Sequence, residues 1–164
     1  MFEDEYFFCG EYTCSLDAQR RVAIPSEWRK KEAASRFVLI PGRESLMLIP
    51  FGTFKEFLMK LKKVSFANRN AQKALAKIGS RVQECICDKQ GRIKLSQRLL
   101  EPFGIAEQVV MVGAFTNIQL WNRESWESQH DEEDSYLDEL EKLSENPDSL
   151  LDMFQDTMEK IKDN

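Results

Sequence analysis

An α+β fold, made of two pseudo-twofold-related β-rich units with flanking helices, is predicted by three observations. The chain repeats itself at a fixed interval. Each copy holds short runs of β-branched residues bounded by turn residues, and apolar stripes at helical spacing follow each set of strands. The 164 residues include 23 Lys+Arg against 28 Asp+Glu and are 42% hydrophobic and 31% charged. That is the composition of an ordinary globular chain, long enough to bury a core.

The repeat comes first. Cys14-Ser15-Leu16-Asp17-Ala18-Gln19-Arg20-Arg21-Val22-Ala23-Ile24 aligns with Cys85-Ile86-Cys87-Asp88-Lys89-Gln90-Gly91-Arg92-Ile93-Lys94-Leu95 at an offset of 71, with Cys, Asp, Gln and Arg coinciding. At an offset of 72, residues 37–40 match 109–112 and residues 46–54 match 118–126. Internal self-similarity of this kind means one structural unit used twice.

Each element then follows in chain order. Residues 11–16 and 82–87 read as strands that meet a turn at Asp-x-x-x-Arg and lead into second strands at 21–24 and 92–95, so that each pair forms a tight hairpin. Ser26 and Ser96 stand where N-caps would, opening short helices at 26–32 and 96–102. Strands at 37–40 and 46–49, and at 109–112 and 118–121, complete the copies, with Pro41-Gly42 and Gly113 at the turns. Thr53-x-x-Glu56 has the form of a capping box for a helix with Phe54, Phe57, Leu58 and Leu61 on one face. Residues 68–80 predict a linking helix with Ala71, Ala74, Leu75 and Ile78 inward. The second copy closes with a helix from about Arg123, opened by Trp126 and continued by Leu137, Leu140 and Leu143. Asn146-Pro147 breaks the tail, after which Leu150, Leu151, Phe154, Met158 and Ile161 form a last amphipathic stripe.

The organisation is therefore an N-terminal extension (1–8), a first repeat (9–63), a linking helix (64–80), a second repeat (81–143) and an acidic amphipathic C-terminal helix (144–164). One unit alone buries too little apolar surface to be comfortable, so pairing the copies about a pseudo-twofold is the economical arrangement. Hairpin edges also leave surfaces for self-association.

The net charge of -5 hides an asymmetry. Residues 1–123 hold 20 Lys+Arg and 13 Asp+Glu, whereas residues 124–164 hold 3 and 15, so the body is +7 and the tail is -12. A basic body suits a polyanion; an acidic tail can screen it, pair with it or keep the protein soluble. No apolar run reaches the roughly 18 to 20 residues of a membrane span, and Glu3, Asp4 and Glu5 occupy the stretch where a signal peptide is basic. Cys9, Cys14, Cys85 and Cys87 are expected to be reduced cytosolic thiols.

Asp17 and Asp88 begin their turns, where a short carboxylate accepts backbone N–H groups and fixes the loop. Arg21 and Arg92, four residues on, either fold back as turn-stabilising ion pairs or are held facing outward, where a guanidinium can bond phosphate or guanine O6 and N7 bidentately. The residues alone leave both open. Arg20, Arg29, Lys30 and Lys31 follow the first turn, and Lys89, Lys94 and Arg98 surround the second, giving two basic loops per chain suited to several phosphate contacts; a solvated basic face is the alternative.

Gly10-Glu11-Tyr12, Leu16-Asp17, the run from Arg21 to Ser26 and the repeat through Cys87-Asp88-Lys89-Gln90-Gly91-Arg92-Ile93 together resemble the MraZ family of bacterial transcriptional regulators, over roughly residues 9–143. The resemblance implies a tandem pair of AbrB-like swapped-hairpin domains, assembled into a ring of identical subunits that binds repeated sites in double-stranded promoter DNA of the division and cell-wall gene cluster. It implies DNA contacts from Arg21 and Arg92, with Arg20, Lys89 and Lys94 beside them and Asp17, Asp88 and Gly91 shaping the loops. It implies a cytoplasmic, nucleoid-associated protein with no cofactor, no membrane and no catalysis. The chain departs from the family in having Arg20 where Gly usually precedes the motif Arg, in residues 1–8, which suit a docking arm or a disordered end, and in the acidic tail, which suits packing on the ring, covering a DNA surface or a protein partner.

Other classes find little support. The one histidine, His130, lies in a polar acidic run, and no P-loop, dinucleotide or Gly-x-Ser-x-Gly motif is present. Cys85-x-Cys87 is too close for a zinc knuckle, and no metal is expected. Phe51, Phe54, Phe57, Trp121 and Trp126 recur as core positions of a duplicated unit would, and Trp28 suits core or interface. The rival to a DNA-binding regulator is an oligomeric scaffold or protein-interaction module of the same fold.

Overall fold

The computed structural model describes residues 7–30 and 35–129, together with Glu139 and Lys142. In chain order they form β1 (Glu11–Ser15), β2 (Arg21–Ala23), a 3-10 turn (Ser26–Trp28), β3 (Arg36–Pro41), β4 (Leu46–Pro50), α1 (Phe51–Leu61) and α2 (Arg69–Gly79). The second copy supplies β5 (Gln83–Ile86), β6 (Arg92–Lys94), α3 (Gln97–Leu100) with a 3-10 turn (Glu101–Phe103), β7 (Gln108–Gly113), β8 (Ile118–Trp121) and α4 (Arg123–Ser128).

Six strands form one antiparallel sheet in the order β1-β7-β8-β4-β3-β5, and β2 pairs with β6 in a separate two-stranded ribbon. Under the sequence repeat β1 corresponds to β5, β7 to β3 and β8 to β4, so the order reads the same from either edge. The registers obey the same symmetry. Tyr12 faces Met111 as Gln83 faces Leu39, and Cys14 faces Val109 as Cys85 faces Phe37. A pseudo-twofold axis passes between Met47 and Gln119 in the sheet and between Val22 and Ile93 in the ribbon.

The predicted tight hairpins close only at their turns. Asp17 N–H donates to Arg21 O at 3.0 Å and Asp88 N–H to Arg92 O at 2.9 Å, but beyond the turns the arms part. β1 pairs with β7, β5 with β3, and β2 with β6 of the other copy. The physical reason is burial. Exchange of the arms puts Val22, Ile24, Ile93 and Leu95 into one core shared by both copies, each at 1% exposure or less. The copies thus interleave in a single body.

Strand alternation divides the sheet into two faces. Phe37, Leu39, Leu46 and Leu48 point to the ribbon side, with Val109, Met111, Ile118 and Leu120 from the second copy. Each fully buried aliphatic side chain there contributes about 1.5–3 kcal/mol. Val38, Ile40 and Ile49 point the other way and receive Phe51, Phe54 and Phe57 of α1. Trp121 packs against Trp126 of α4 with ring centroids 5.4 Å apart. Trp28 is a core residue, edge-on to Tyr12 and Phe8.

Three local expectations change. The capping box at Thr53 does not form: α1 begins at Phe51 directly after Pro50, whose fixed φ of -53° starts the helix without a side-chain cap. Ser26 lies inside its 3-10 turn, and Ser96 caps α3 by position but not by a side-chain bond. Leu58 of the predicted α1 stripe is exposed, whereas Phe54, Phe57 and Leu61 on the same helix are half-buried. Asn68 and Asn122, by contrast, cap α2 and α4, accepting from Ala71 and Ser125 N–H at 3.1 and 2.7 Å.

Phe8, assigned above to the N-terminal extension, is a core residue at 2% exposure. It exchanges backbone hydrogen bonds with Phe115 at 3.0 and 2.8 Å and packs on Trp28 and Phe37. Gly113 admits the passing backbone, since a Cβ there would meet Cys9 N and Phe8 C at 2.5 Å. Residues 1–6, Lys31, Glu32, His130, the Leu137 to Leu143 stripe, the Asn146-Pro147 break and the C-terminal helix lie outside the described residues.

Candidate nucleic-acid interface

Each Asp-x-x-x-Arg loop is built around its carboxylate. Asp17 Oδ1 accepts the N–H groups of Gln19 and Arg21 at 2.9 and 2.8 Å, and Oδ2 accepts from Arg21 Nε at 2.7 Å. Asp88 repeats the arrangement with Gln90, Arg92 and Arg92 Nε, all at 2.9 Å. These bonds, led by the backbone N–H of the motif arginine, hold both carboxyls below their ordinary range.

The residue before each arginine is left-handed, Arg20 at φ 58° and Gly91 at φ 77°. Its carbonyl then crosses to the other copy: Arg20 O accepts from Leu95 N–H and Gly91 O from Ile24 N–H, both at 2.9 Å. Gly suits this conformation and Arg is strained in it. The departure at Arg20 therefore leaves the turn geometry intact.

Between the loops lies the ribbon, with Arg21 opposite Lys94 and Ala23 opposite Arg92. Val22 and Ile93 turn inward, so alternation puts Arg21, Ala23, Arg92 and Lys94 on the outer face. The two arginines converge there: Asp17 Oδ2, bonded to Arg21 Nε, lies 4.0 Å from Arg92 Nη1. The two sequence alternatives turn out to be compatible. Each Nε is engaged by its own Asp, while the Nη groups form no hydrogen bond among the described residues, leaving part of each fork for a planar acceptor.

The flanking residues differ in their freedom. Lys89 and Lys94 are exposed. Arg20 is half-buried, its Nε donating to Leu95 O at 3.3 Å. Arg29, which the sequence marks only as one of a basic run, lies over Gly91, close enough that a Cβ on Gly91 would collide with its guanidinium. Each loop thus carries a second guanidinium, Arg20 from within the first and Arg29 across the interface onto the second. Under the repeat Arg29 corresponds to buried Leu100, so no spacing signal marks it.

Other chemistry is sparse among the described residues. No group of three or more His, Cys, Asp or Glu side chains is placed to hold a metal ion. All four cysteines are free, and burial pushes the Cys85 thiol up to about 12. No helix there is long and apolar enough to cross a membrane.

Comparison with known proteins gives the lineage. The MraZ protein family model matches residues 7–77 and again 80–146. The chain belongs to the MraZ family. Transcriptional regulator MraZ of Clostridium acetobutylicum is 35% identical over 120 residues, covering 73% of this chain and 84% of the relative. The Clostridium tetani protein of the same name is 34% identical over 139 residues, 84% of this chain and 97% of its own. That of Bifidobacterium longum is 32% identical over 131 residues, 79% and 87% respectively. The first MraZ match opens at Phe7, next to the buried Phe8.

Proposed function

We propose that this MraZ-family chain is a sequence-specific, double-stranded DNA-binding transcriptional regulator, with no catalytic role, that acts through its β2–β6 ribbon. The observation that carries the reading is the outward row of Arg21, Arg92 and Lys94, in which each arginine is held by the Asp of its own loop, Arg21 by Asp17 and Arg92 by Asp88. A two-stranded ribbon fits the major groove, and a pre-oriented guanidinium gives bidentate recognition there or at a phosphate. Arg21 and Arg92 make the principal contacts; Arg20, Lys89 and Lys94 add phosphate contacts, and Gly91 lets the second turn take its left-handed shape beneath Arg29. One ribbon offers few contacts, so a ring of identical subunits engages repeated sites, in the cytoplasm at the nucleoid. The division and cell-wall gene cluster, which its relatives' family resemblance implies, supplies the promoter.

The test is fluorescence anisotropy of the full chain with a duplex from the promoter preceding its own gene, at two salt concentrations. Affinity falls as salt rises, and Arg92→Ala or Arg21→Ala lowers it roughly 5- to 150-fold, the value of about 1–3 kcal/mol for a good bidentate contact. Equal and negligible binding by the parent and both variants overturns the reading and leaves the oligomeric scaffold.

A further inference from the structure

The basic excess of the body does not sit in the loops. Residues 51–81, which span α1 and α2, hold 8 Lys+Arg against 1 Asp+Glu, a net +7 equal to that of the whole of residues 1–123. Among the described residues none of these eight cations forms an ion pair. The same arm exposes apolar side chains: Leu58 and Met59 on α1, and Phe66 at 94% exposure in the connection to α2. α2 fully buries only Ala74.

Cations interleaved with exposed apolar groups match an acidic partner that carries an apolar stripe of its own. Duplex DNA supplies the charge but no apolar face for Leu58, Met59 and Phe66. The chain contains the matching segment. Residues 130–164 hold 13 Asp+Glu against 3 Lys+Arg, with Leu150, Leu151, Phe154, Met158 and Ile161 at helical spacing. The sequence repeat sharpens the match, because an offset of 72 carries residues 51–81 onto 123–153, which hold 2 Lys+Arg and 12 Asp+Glu, a net -10. Reach is sufficient. The 35 residues after Gln129 span about 50 Å even as continuous helix, more than the roughly 30 Å breadth of a body this size.

We propose that the acidic segment 130–164 docks on the α1–α2 face of its own chain, its carboxylates against Lys55, Lys62 and Lys63 and its apolar stripe over Leu58, Met59 and Phe66. Docking neutralises the arm and leaves the ribbon as the dominant cationic surface. It also covers the apolar side chains that the body alone leaves in water.

Hydrogen exchange of the full chain, without DNA, tests this independently of the regulatory reading. Reversing charge on the arm (Lys62→Glu with Lys63→Glu) speeds exchange across α1–α2 at least about fivefold, and so does reversal on the tail (Asp152→Lys with Asp156→Lys). Joining all four substitutions brings exchange back to within about twofold of the parent, because the pairing is restored with opposite sign. Raising salt from about 0.05 to 0.5 M speeds exchange of the parent in the same peptides. Peptides of β7 and β8 stay unchanged throughout and report that the body is folded. Exchange in α1–α2 that ignores the tail substitutions, or a fourfold variant no closer to the parent than either pair alone, overturns the proposal.

Discussion

Arg29 lays its guanidinium across the backbone of Gly91, joining the first copy to the left-handed turn of the second. The equivalent place in the first turn is taken by Arg20, which bears the strain of φ 58°. Gly91→Ala therefore meets both a left-handed backbone and a displaced Arg29. A loss of about 1–2 kcal/mol is expected, read in thermal denaturation as a fall in Tm of roughly 2–8 °C. An unchanged Tm would show that the turn tolerates a side chain there as it does at Arg20.

The carboxylates make the loops sensitive to acid. Asp17 and Asp88 have native pKa values below those of the unfolded chain, so their stabilisation is present above the unfolded value of about 4 and is lost as pH falls through the native value. With side-chain exposures of 35% and 38%, solvent screening keeps the contribution of each carboxylate small. Urea titrations between about pH 3 and 7 should show stability falling at the acid end, with a flatter profile in Asp17→Asn with Asp88→Asn. Parallel profiles would assign the acid loss to other groups.

Phe8 and Phe7 separate core from surface within two residues. Phe8→Ala removes a ring packed on Trp28 and Phe37 and is expected to cost about 3–4 kcal/mol. Phe7 is 60% exposed, and Phe7→Ala stays within about 0.5 kcal/mol. Chemical denaturation of both variants measures the difference, and equal costs would contradict the placement of Phe8.

Thiol reactivity reports the same burial. Cys9 is exposed and Cys14 half-buried, while Cys85 and Cys87 lie in the core with raised pKa values. Alkylation of the native protein near pH 8 followed by peptide mapping is expected to modify Cys9 first and Cys85 and Cys87 last. Early modification of Cys85 would mean that the β3–β5 edge opens readily.

Much of this was legible in residue order. The duplicated Asp-x-x-x-Arg loops and the positions of β3, β4, β7 and β8 follow from repetition and alternation, which are local signals. Strand partnership is not local: nothing in residues 11–24 distinguishes a self-paired hairpin from one whose arms cross to Arg92 and Val109, because both bury Val22. Phe8 carries no repeat signal, because its counterpart at the offset of 71 is Gly79, which has no side chain to bury. Thr53 and Glu56 had the letters of a cap, but Pro50 starts the helix earlier. Arg29 acts through space on another copy's turn, where linear spacing carries no information.

The mirrored strand order has a further meaning. In a true dimer of identical chains every substitution occurs twice, and rotation by half a turn cancels any dipole perpendicular to the axis. Covalent fusion lifts that restriction: one half can become cationic while the other becomes anionic without disturbing the shared core. The body thereby acquires a front and a back, and orientation becomes a property that mutation can tune on one side only.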